Sequence, residues 1–593
     1  MAFQTLAKEQ ATEHSSVVST NSNWTVSKAQ WLFLGTFAFV FASACVMFFY
    51  NLGNFPLFNP DEALYAEPAR EMLETGEYIT TWLNYAVRFT KPPLVIWAMA
   101  AGYQLFGVTE FAARYFGAAC GAVLVAATYL FTRAQVNNRA ALIAAFSLMT
   151  APLFLGTARE AITDIPLSLF VTGSLMCFFH SYESRRTSTN SLELIVAYTA
   201  VGLAVMTKGP IGIILPVAIL GIYHLLKWDV RSALLFYKPW FGILLVALIA
   251  VPWFAVEISV TKGAYYREFI LRENFQRFTG VVDHKAAWWY HIAAMFGGFF
   301  PWTIFVPGAL LTAINIEGSR WTNILTRFRK LTPRQSTMLL ASLGSMIILG
   351  FFSAGVSKLI PYTLPAFPLL AVLVGSYVDG LWSKQSTKLP GVLFGILAVI
   401  YAGALAAIPI FGAKLHDCPT TLLSAVWTLL IVHAVAASFA AVLWLKQKYA
   451  AALVTFVAAT FFALLIVGNQ GLEAVSNQWE TPIQSFAQFA GASKDTIIVY
   501  QMRKPSVTFY AKKKFLLPKS PKELTYILSK ADRAYIISRS RAKEELKTLP
   551  GTKHLCQMGQ YVLTSYARPT ALKSSSTNSA VVIPDDKDSR SDD

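Results

Sequence analysis

Charge is scarce in this chain, and acid is scarcer than base. Only 14% of its 593 residues are charged, and 33 Asp and Glu face 50 Lys and Arg. Ordinary soluble domains carry roughly 25% charged residues, so a soluble globule of this size is excluded. Cysteine is also rare. The five, Cys45, Cys120, Cys177, Cys418 and Cys556, form no CxxC pair and no metal-ligand spacing, which argues against a disulfide scaffold or zinc ribbon and for small core residues. No internal repeat of about 20 to 50 residues and no inverted halves are visible, which weighs against a transporter. The net charge of +17 lies in short loops beside apolar blocks rather than in a basic stripe with readout motifs. No nucleic-acid partner is therefore expected, and topology with anionic membrane lipids accounts for the excess.

What the chain does have is hydrophobic length. It is 55% hydrophobic with a mean hydropathy of +0.47, and its apolar residues fall in blocks of about 15 to 25, the pattern of repeated bilayer spans. The expected fold class is a mostly α polytopic membrane protein of about 13 transmembrane helices, with a small C-terminal extracytoplasmic α/β domain. Residues 1–28 read as a polar cytoplasmic tail without a signal-peptide core, 29–470 as the transmembrane domain, 471–569 as the α/β domain and 570–593 as a disordered tail rich in Ser and Asp. Basic connectors fix the orientation: Arg185 and Arg186; Lys227, Arg231 and Lys238; Arg320 to Arg334; Lys384 and Lys388; Lys446 and Lys448 all belong on the cytoplasmic side. The alternate connectors then fall outside, including a first external loop at 51–91 and a long loop at 258–289. Three apolar pieces lie between Lys91 and Asp164, at 92–107, 112–132 and 139–157. Both ends of that stretch are external, so it crosses an even number of times and one piece is a partial or continued helix. In the C-terminal domain, β-rich runs at 497–501, 507–511, 534–538 and 561–566 alternate with a helical stretch at 521–530.

Clustered external charges are the informative residues. NPDEALYAEPAREMLETG at 59–76 reads as an interfacial helix with Pro60 near its start, Asp61 and Glu62 in its first turn and Gly76 at its end. Pro68 should kink or divide it, and Asp61 and Tyr65 share a face. The plain alternative is that the two acids only complement the helix dipole. VRFTKPPL at 87–94 follows Arg88 with Lys91, held at the external interface by two prolines; a snorkelling anchor is the alternative for Lys91. Asp164 in AREAITDIPL, Lys208 in TKGPIG, and Lys358 and Tyr362 in SKLIPY stand at other external span ends. The loop RENFQRFTGVVDHKAAWWYH at 272–291 adds Arg272, Arg277, His284 and Lys285. Several cations and a few acids on one face suit a phosphate-bearing substrate and a carboxylate base.

These motifs, DExxxYAExAREML at 61–73, FxKPPL at 89–94, the Asp164 segment, TKG at 207–209, ENFQRFTG at 273–280 with His284, and SKLIPYTLP at 357–365, resemble the aminoarabinose transferase (ArnT-like) family. That family is related to the protein O-mannosyltransferases and uses the GT-C fold. The resemblance covers about residues 30–470 and implies transfer of a sugar from a polyprenyl (undecaprenyl) phosphate donor to an acceptor outside the bacterial inner membrane, by single displacement with inversion. The acceptor implied is lipid A or another lipid or glycan. It also implies catalytic roles for Asp61 and Asp164, and a phosphate environment of Lys91, Lys208, Lys358 and Tyr362. Glu62, Tyr65, Arg88, Arg272 and Arg277 complete the expected substrate-binding set. A divalent metal at His284 is the one cofactor implied. Thr90 stands where the family usually has Glu in that metal-associated region, and Leu64 where it often has Arg. The readings that compete are a protein O-glycosyltransferase acting on Ser or Thr, a lipid-linked sugar transporter and a non-catalytic scaffold.

Overall fold

Inside a bilayer no water bonds the backbone, so apolar segments satisfy their N–H and C=O groups internally, as helices. The computed structural model describes residues 28–184, 191–276, 280, 286–314, 328–329, 331–384, 388–411 and 418–569. Among these, ten helices are long and apolar enough to cross a membrane, or twelve if each of two bent pairs is one span. Ile211–Lys227, with 17 residues and a length of about 25 Å at 1.5 Å per residue, is the thirteenth candidate. The chain is a multi-pass membrane protein.

Length resolves the stretch between Lys91 and Asp164. Glu110–Gln135 is a full span of 26 residues, capped at its start by Thr109, whose side chain accepts from Ala112 N. Asn138–Met149 and Pro152–Ala158 form a pair bent by 65°, at a proline that cannot continue the first helix. Leu94–Phe106 has 13 residues, about 20 Å, and is the partial piece. The bundle is centred on Ile360–Ser383, whose most apolar window is 89% buried, against 17% for Pro239–Val260. Gly375 allows that central helix to approach Asn138–Met149, because a Cβ there would run into Ala140 O; small-residue contacts of this kind drive helix association in lipid.

The first external loop differs in detail from its expected form. The helix is Ala63–Thr75 and starts after Asp61 and Glu62, which lie in the preceding turn. Pro68 sits inside it without dividing it. Proline has no N–H for the carbonyl four residues earlier, and Arg88 Nη1 donates to that carbonyl, Leu64 O. Arg88, expected to bind substrate, is thus engaged in completing this helix. Its guanidinium also lies 5.5 Å from the centre of the Tyr65 ring.

The last span, Tyr449–Trp479, runs unbroken past residue 470 through a π-turn at Leu464–Gly468, so the C-terminal unit begins only after it. That unit contains a five-stranded sheet in the spatial order Phe515–Leu516, Thr496–Tyr500, Arg533–Arg539, Tyr561–Ala567, Thr552–Met558. The first three strands are parallel and the last two join antiparallel. The helix Pro521–Lys530 stands where the sequence places it. The run at 507–511 is not β-structure but the helix Ser506–Ala511, closed by Lys512 at φ 51°, with Val507 and Phe509 buried.

One buried residue ties these parts together. Arg114, in the first turns of Glu110–Gln135, is fully buried and donates from Nη2 and Nε to both carboxylate oxygens of Glu62 at 2.6 and 2.7 Å. It also donates to the carbonyls of Leu52, Phe55 and Pro56 at 2.8 to 3.0 Å. Glu62 further accepts from Phe58 N at 2.7 Å and Ala161 N at 2.8 Å. Its carboxylate is saturated within the fold, which corrects its expected place in the substrate-binding set. Removing one partner of a buried pair leaves an uncompensated charge and costs about 3–5 kcal/mol. Arg114→Ala is expected to lower the thermal unfolding midpoint in detergent sharply, and pairing Arg114→Met with Glu62→Leu to recover most of the loss. A single variant as stable as the wild type contradicts this role.

Candidate active site

The site forms where two helix ends meet. Asp164 opens the helix Asp164–Ser184 and Lys208 closes the helix Ser191–Lys208, so each charge sits at the helix end whose dipole favours it. Lys208 Nζ lies 2.7 Å from Asp164 Oδ1, and both side chains are 12% exposed. The same ammonium stands 4.6 Å from the centre of the Tyr362 ring, a cation–π contact of the kind that strengthens on desolvation. Tyr362, in the 3-10 turn Ile360–Ala366, stacks on His291 at 6.2 Å, and His291 Nε2 contacts Leu359 O at 3.2 Å. Behind Lys208, Gly209 adopts φ +82°, and a Cβ there would meet the Phe269 ring at 2.7 Å. The segment Tyr266–Gln276 therefore lies directly over the TKG turn.

Tyr65 joins this cluster from the first external loop: the charges of Arg88, Lys208 and Asp164 act on its hydroxyl, which burial pushes above the ordinary range. The structure thus brings Tyr65, Asp164, Lys208 and Tyr362 together. Asp61, four residues before Tyr65, is exposed, and its charge acts on Glu160. Lys91 is half-buried. Lys358 is 5% exposed, and its amine donates to Ser353 O at 3.0 Å and to Gly355 O, capping the helix Pro333–Ala354. Two of its three donors are thereby engaged, which leaves one for the phosphate environment expected of it. Arg272 pairs with Glu268 at 3.6 Å on its own helical segment. Arg277, His284 and Lys285 lie outside the described residues.

Thr90 Oγ1 is buried without a hydrogen-bond partner, and among the described residues no group of three His, Cys, Asp or Glu could hold a metal ion. A neutral hydroxyl in place of a carboxylate is a poor ligand for a hard or borderline divalent cation. The described donors do not fit a metal.

Two engaged residues are not singled out by the motifs. Arg114 is a charge within an apolar helix, a signal by itself. Glu160 stands in the bend just before the helix that Asp164 opens, and its carboxyl is pushed up to about 8, by burial first and then by Glu62 and Asp61. Glu67, in the helix Ala63–Thr75, is likewise pushed up to about 8 by burial, against the pull of Arg70. Both folded values exceed the ordinary 4.5, so the folded chain holds protons that the unfolded chain releases, and stability falls as pH climbs from about 4.5 to about 8. The unfolding midpoint in detergent is expected to drop over that window. Glu160→Gln and Glu67→Gln should each flatten the drop, and an unchanged slope in both contradicts the assignment.

Residues 32–260 match the family model described as dolichyl-phosphate-mannose-protein mannosyltransferase. An uncharacterized protein of Aquifex aeolicus is 28% identical over 380 residues, covering 64% of this chain and 71% of that one. The undecaprenyl phosphate-alpha-4-amino-4-deoxy-L-arabinose arabinosyl transferase of Pectobacterium atrosepticum is 31% identical over 329 residues, 55% of this chain and 56% of that one. The match therefore spans little more than half the length of that transferase. Among solved structures, the crystal structure of ArnT from Cupriavidus metallidurans bound to undecaprenyl phosphate superposes with a TM-score of 0.75 at 23% identity, covering 91% of this chain and 98% of that one. Its likeness carries the fold, a GT-C helical bundle with a small sheet region near the C-terminus. The chain thus shares its fold with ArnT, and part of its sequence is similar to arabinosyl transferases and to the mannosyltransferase family model.

Proposed function

We propose that this chain is an integral-membrane glycosyltransferase that moves a sugar from a polyprenyl phosphate, undecaprenyl phosphate in the simplest case, to lipid A or another lipid or glycan acceptor. The observation that carries this reading is the Asp164–Lys208–Tyr362 cluster beside Tyr65, at the side where Asp61 stands in the 51–91 loop. The solved relative bound to undecaprenyl phosphate and the arabinosyl transferase relatives support it.

In the proposed reaction the acceptor oxygen bonds to the anomeric carbon as the bond from that carbon to the phosphate oxygen breaks, with inversion. Negative charge grows on the leaving phosphate, and a preorganised ammonium in a half-dry site stabilises it most there. Lys208 is placed for this, with Lys91 as a second cation. Asp61 accepts the proton of a hydroxyl acceptor or orients a phosphate acceptor that has none to lose. Asp164 holds Lys208 between turnovers and sets its orientation. Transfer to Ser or Thr of a protein is the second reading, favoured by the mannosyltransferase family match over residues 32–260.

The proposed location is a bacterial inner membrane, with a cytoplasmic N-terminus and a periplasmic site and C-terminal domain. The support is charge: Lys227, Arg231, Lys238, Lys384, Lys388, Lys446 and Lys448 lie in connectors at one end of the spans, where the positive-inside rule places them in the cytoplasm.

Asp61→Asn, at wild-type expression, is expected to abolish sugar transfer from a polyprenyl phosphate donor in a reconstituted assay; wild-type turnover contradicts the assignment. Lys208→Met should weaken binding of undecaprenyl phosphate at least tenfold, about 1.4 kcal/mol, and leave binding of undecaprenol unchanged. Equal loss for both ligands would mean that Lys208 supports the fold rather than the phosphate. Cys556 is exposed in the C-terminal domain. A membrane-impermeant maleimide should label it in intact spheroplasts, and labelling only after lysis contradicts the orientation.

A further inference from the structure

The C-terminal domain grips the first external loop immediately before Asp61. Asn59 Nδ2 lies 2.6 Å from Glu480 Oε2 and 2.6 Å from Ser506 Oγ, and Asn59 Oδ1 accepts from Ser506 N at 3.0 Å. Both amide donors and the amide oxygen are therefore engaged by one partner domain. Lys504 Nζ holds Glu480 at 3.2 Å. Two residues earlier, Leu57 N donates to the Tyr510 hydroxyl at 2.8 Å, and that hydroxyl lies 3.1 Å from Glu110 Oε1. Further along the loop, Asn84 Nδ2 donates to Phe515 O at 3.0 Å, and Asn84 Oδ1 accepts from Phe515 N at 3.0 Å and Thr508 Oγ1 at 3.2 Å.

These bonds complement the Arg114 cluster. Arg114 holds residues 52, 55, 56 and 62 from the bundle side, and the C-terminal domain holds residues 57 and 59 from the other. Asp61 stands between the two anchors. A loop on a membrane protein's surface would otherwise sample many conformations, and a misplacement of about 1 Å at a reacting group can cost roughly 100-fold in rate.

We propose that the C-terminal domain is part of the catalytic unit, and that Asn59, clipped between Glu480 and Ser506, is a positioning residue for Asp61. The proposal rests on the reading of Asp61 as the catalytic carboxylate. The amide acts only through the backbone that it fixes, two residues from the reacting group. The domain then serves as a template for the loop, whatever else it binds.

The geometry permits a role-exchange test in the full-length chain reconstituted in nanodiscs. Asn59→Asp sets a second carboxylate within hydrogen-bond distance of Glu480, removing a donor and adding like-charge repulsion. Adding Glu480→Gln restores one donor and one acceptor with their owners exchanged. Asn59→Asp is expected to lower kcat at least tenfold with the donor KM within twofold of wild type, and the double variant to recover at least half of the lost rate. Ser506→Ala, a milder change, should lower kcat several-fold without moving the unfolding midpoint. Hydrogen exchange at residues 57–62, measured without substrate, should speed up in Asn59→Asp and slow again in the double variant. Unchanged kcat in Asn59→Asp, a loss carried by KM, or a double variant no better than the single would each overturn the proposal. If exchange follows the clip as expected but the wild type itself transfers nothing from a polyprenyl phosphate, the reading of the function falls and the clip stands.

Discussion

A guanidinium with no access to water must be surrounded by acceptors, and in this chain that requirement organises the face that bears Asp61. Arg114 meets it with two carboxylate oxygens of Glu62 and three backbone carbonyls. The acceptors come from residues 52 to 62, so satisfying one buried charge fixes the path of the chain from the end of the first span to the turn that bears Asp61. Glu62 in turn accepts from Ala161 N, three residues before Asp164. The two acids assigned to catalysis are thus both tied to the Glu62 carboxylate of one ion pair. Buried pairs of this kind contribute little net stability relative to an apolar replacement; the return here is geometric.

The site itself is economical in charge. A Lys at a helix C-terminus and an Asp at a helix N-terminus each gain from the local dipole, and across 2.7 Å each is the other's counter-ion. At rest the pair neutralises itself in a region where a lone ion would be costly. In the proposed reaction a phosphate arriving beside it shares the ammonium, which stays over the Tyr362 ring. The charge balance then changes when phosphate leaves with its extra negative charge, which is the moment at which stabilisation alters the rate.

The large features were legible in the sequence because they rest on local pattern. Apolar runs of bilayer length, basic connectors and the grouped external motifs predict the bundle, the external domain and the neighbourhood of Asp164, Lys208 and Tyr362. What was not legible depends on partners distant in the chain. Glu62 looks like a first-turn acid until Arg114, 52 residues later, claims it. That Leu64 O, left open by Pro68, takes one of the donors of Arg88 is likewise invisible in the sequence. The 507–511 run has strand composition, yet its first turn is held by Asn59 and its end is closed by Lys512 in a left-handed conformation. Leu94–Phe106 has the hydropathy of a span but only 13 residues, and it packs on Ala63–Thr75 and Phe509 instead of crossing. Arg277 and His284 lie outside the described residues, so their place in the site rests on the resemblance alone.

The central claim is that this external face transfers a sugar carried on a polyprenyl phosphate, and its products are open to direct weighing. Mass spectrometry of lipid A, surface glycans and secreted proteins, compared between cells that carry the chain and otherwise identical cells that lack it, tests the claim in one measurement. The account predicts that one of these three fractions gains the mass of a single glycosyl residue only when the chain is present. Identical mass profiles in all three, with the chain expressed and the donor lipid detectable, would contradict it.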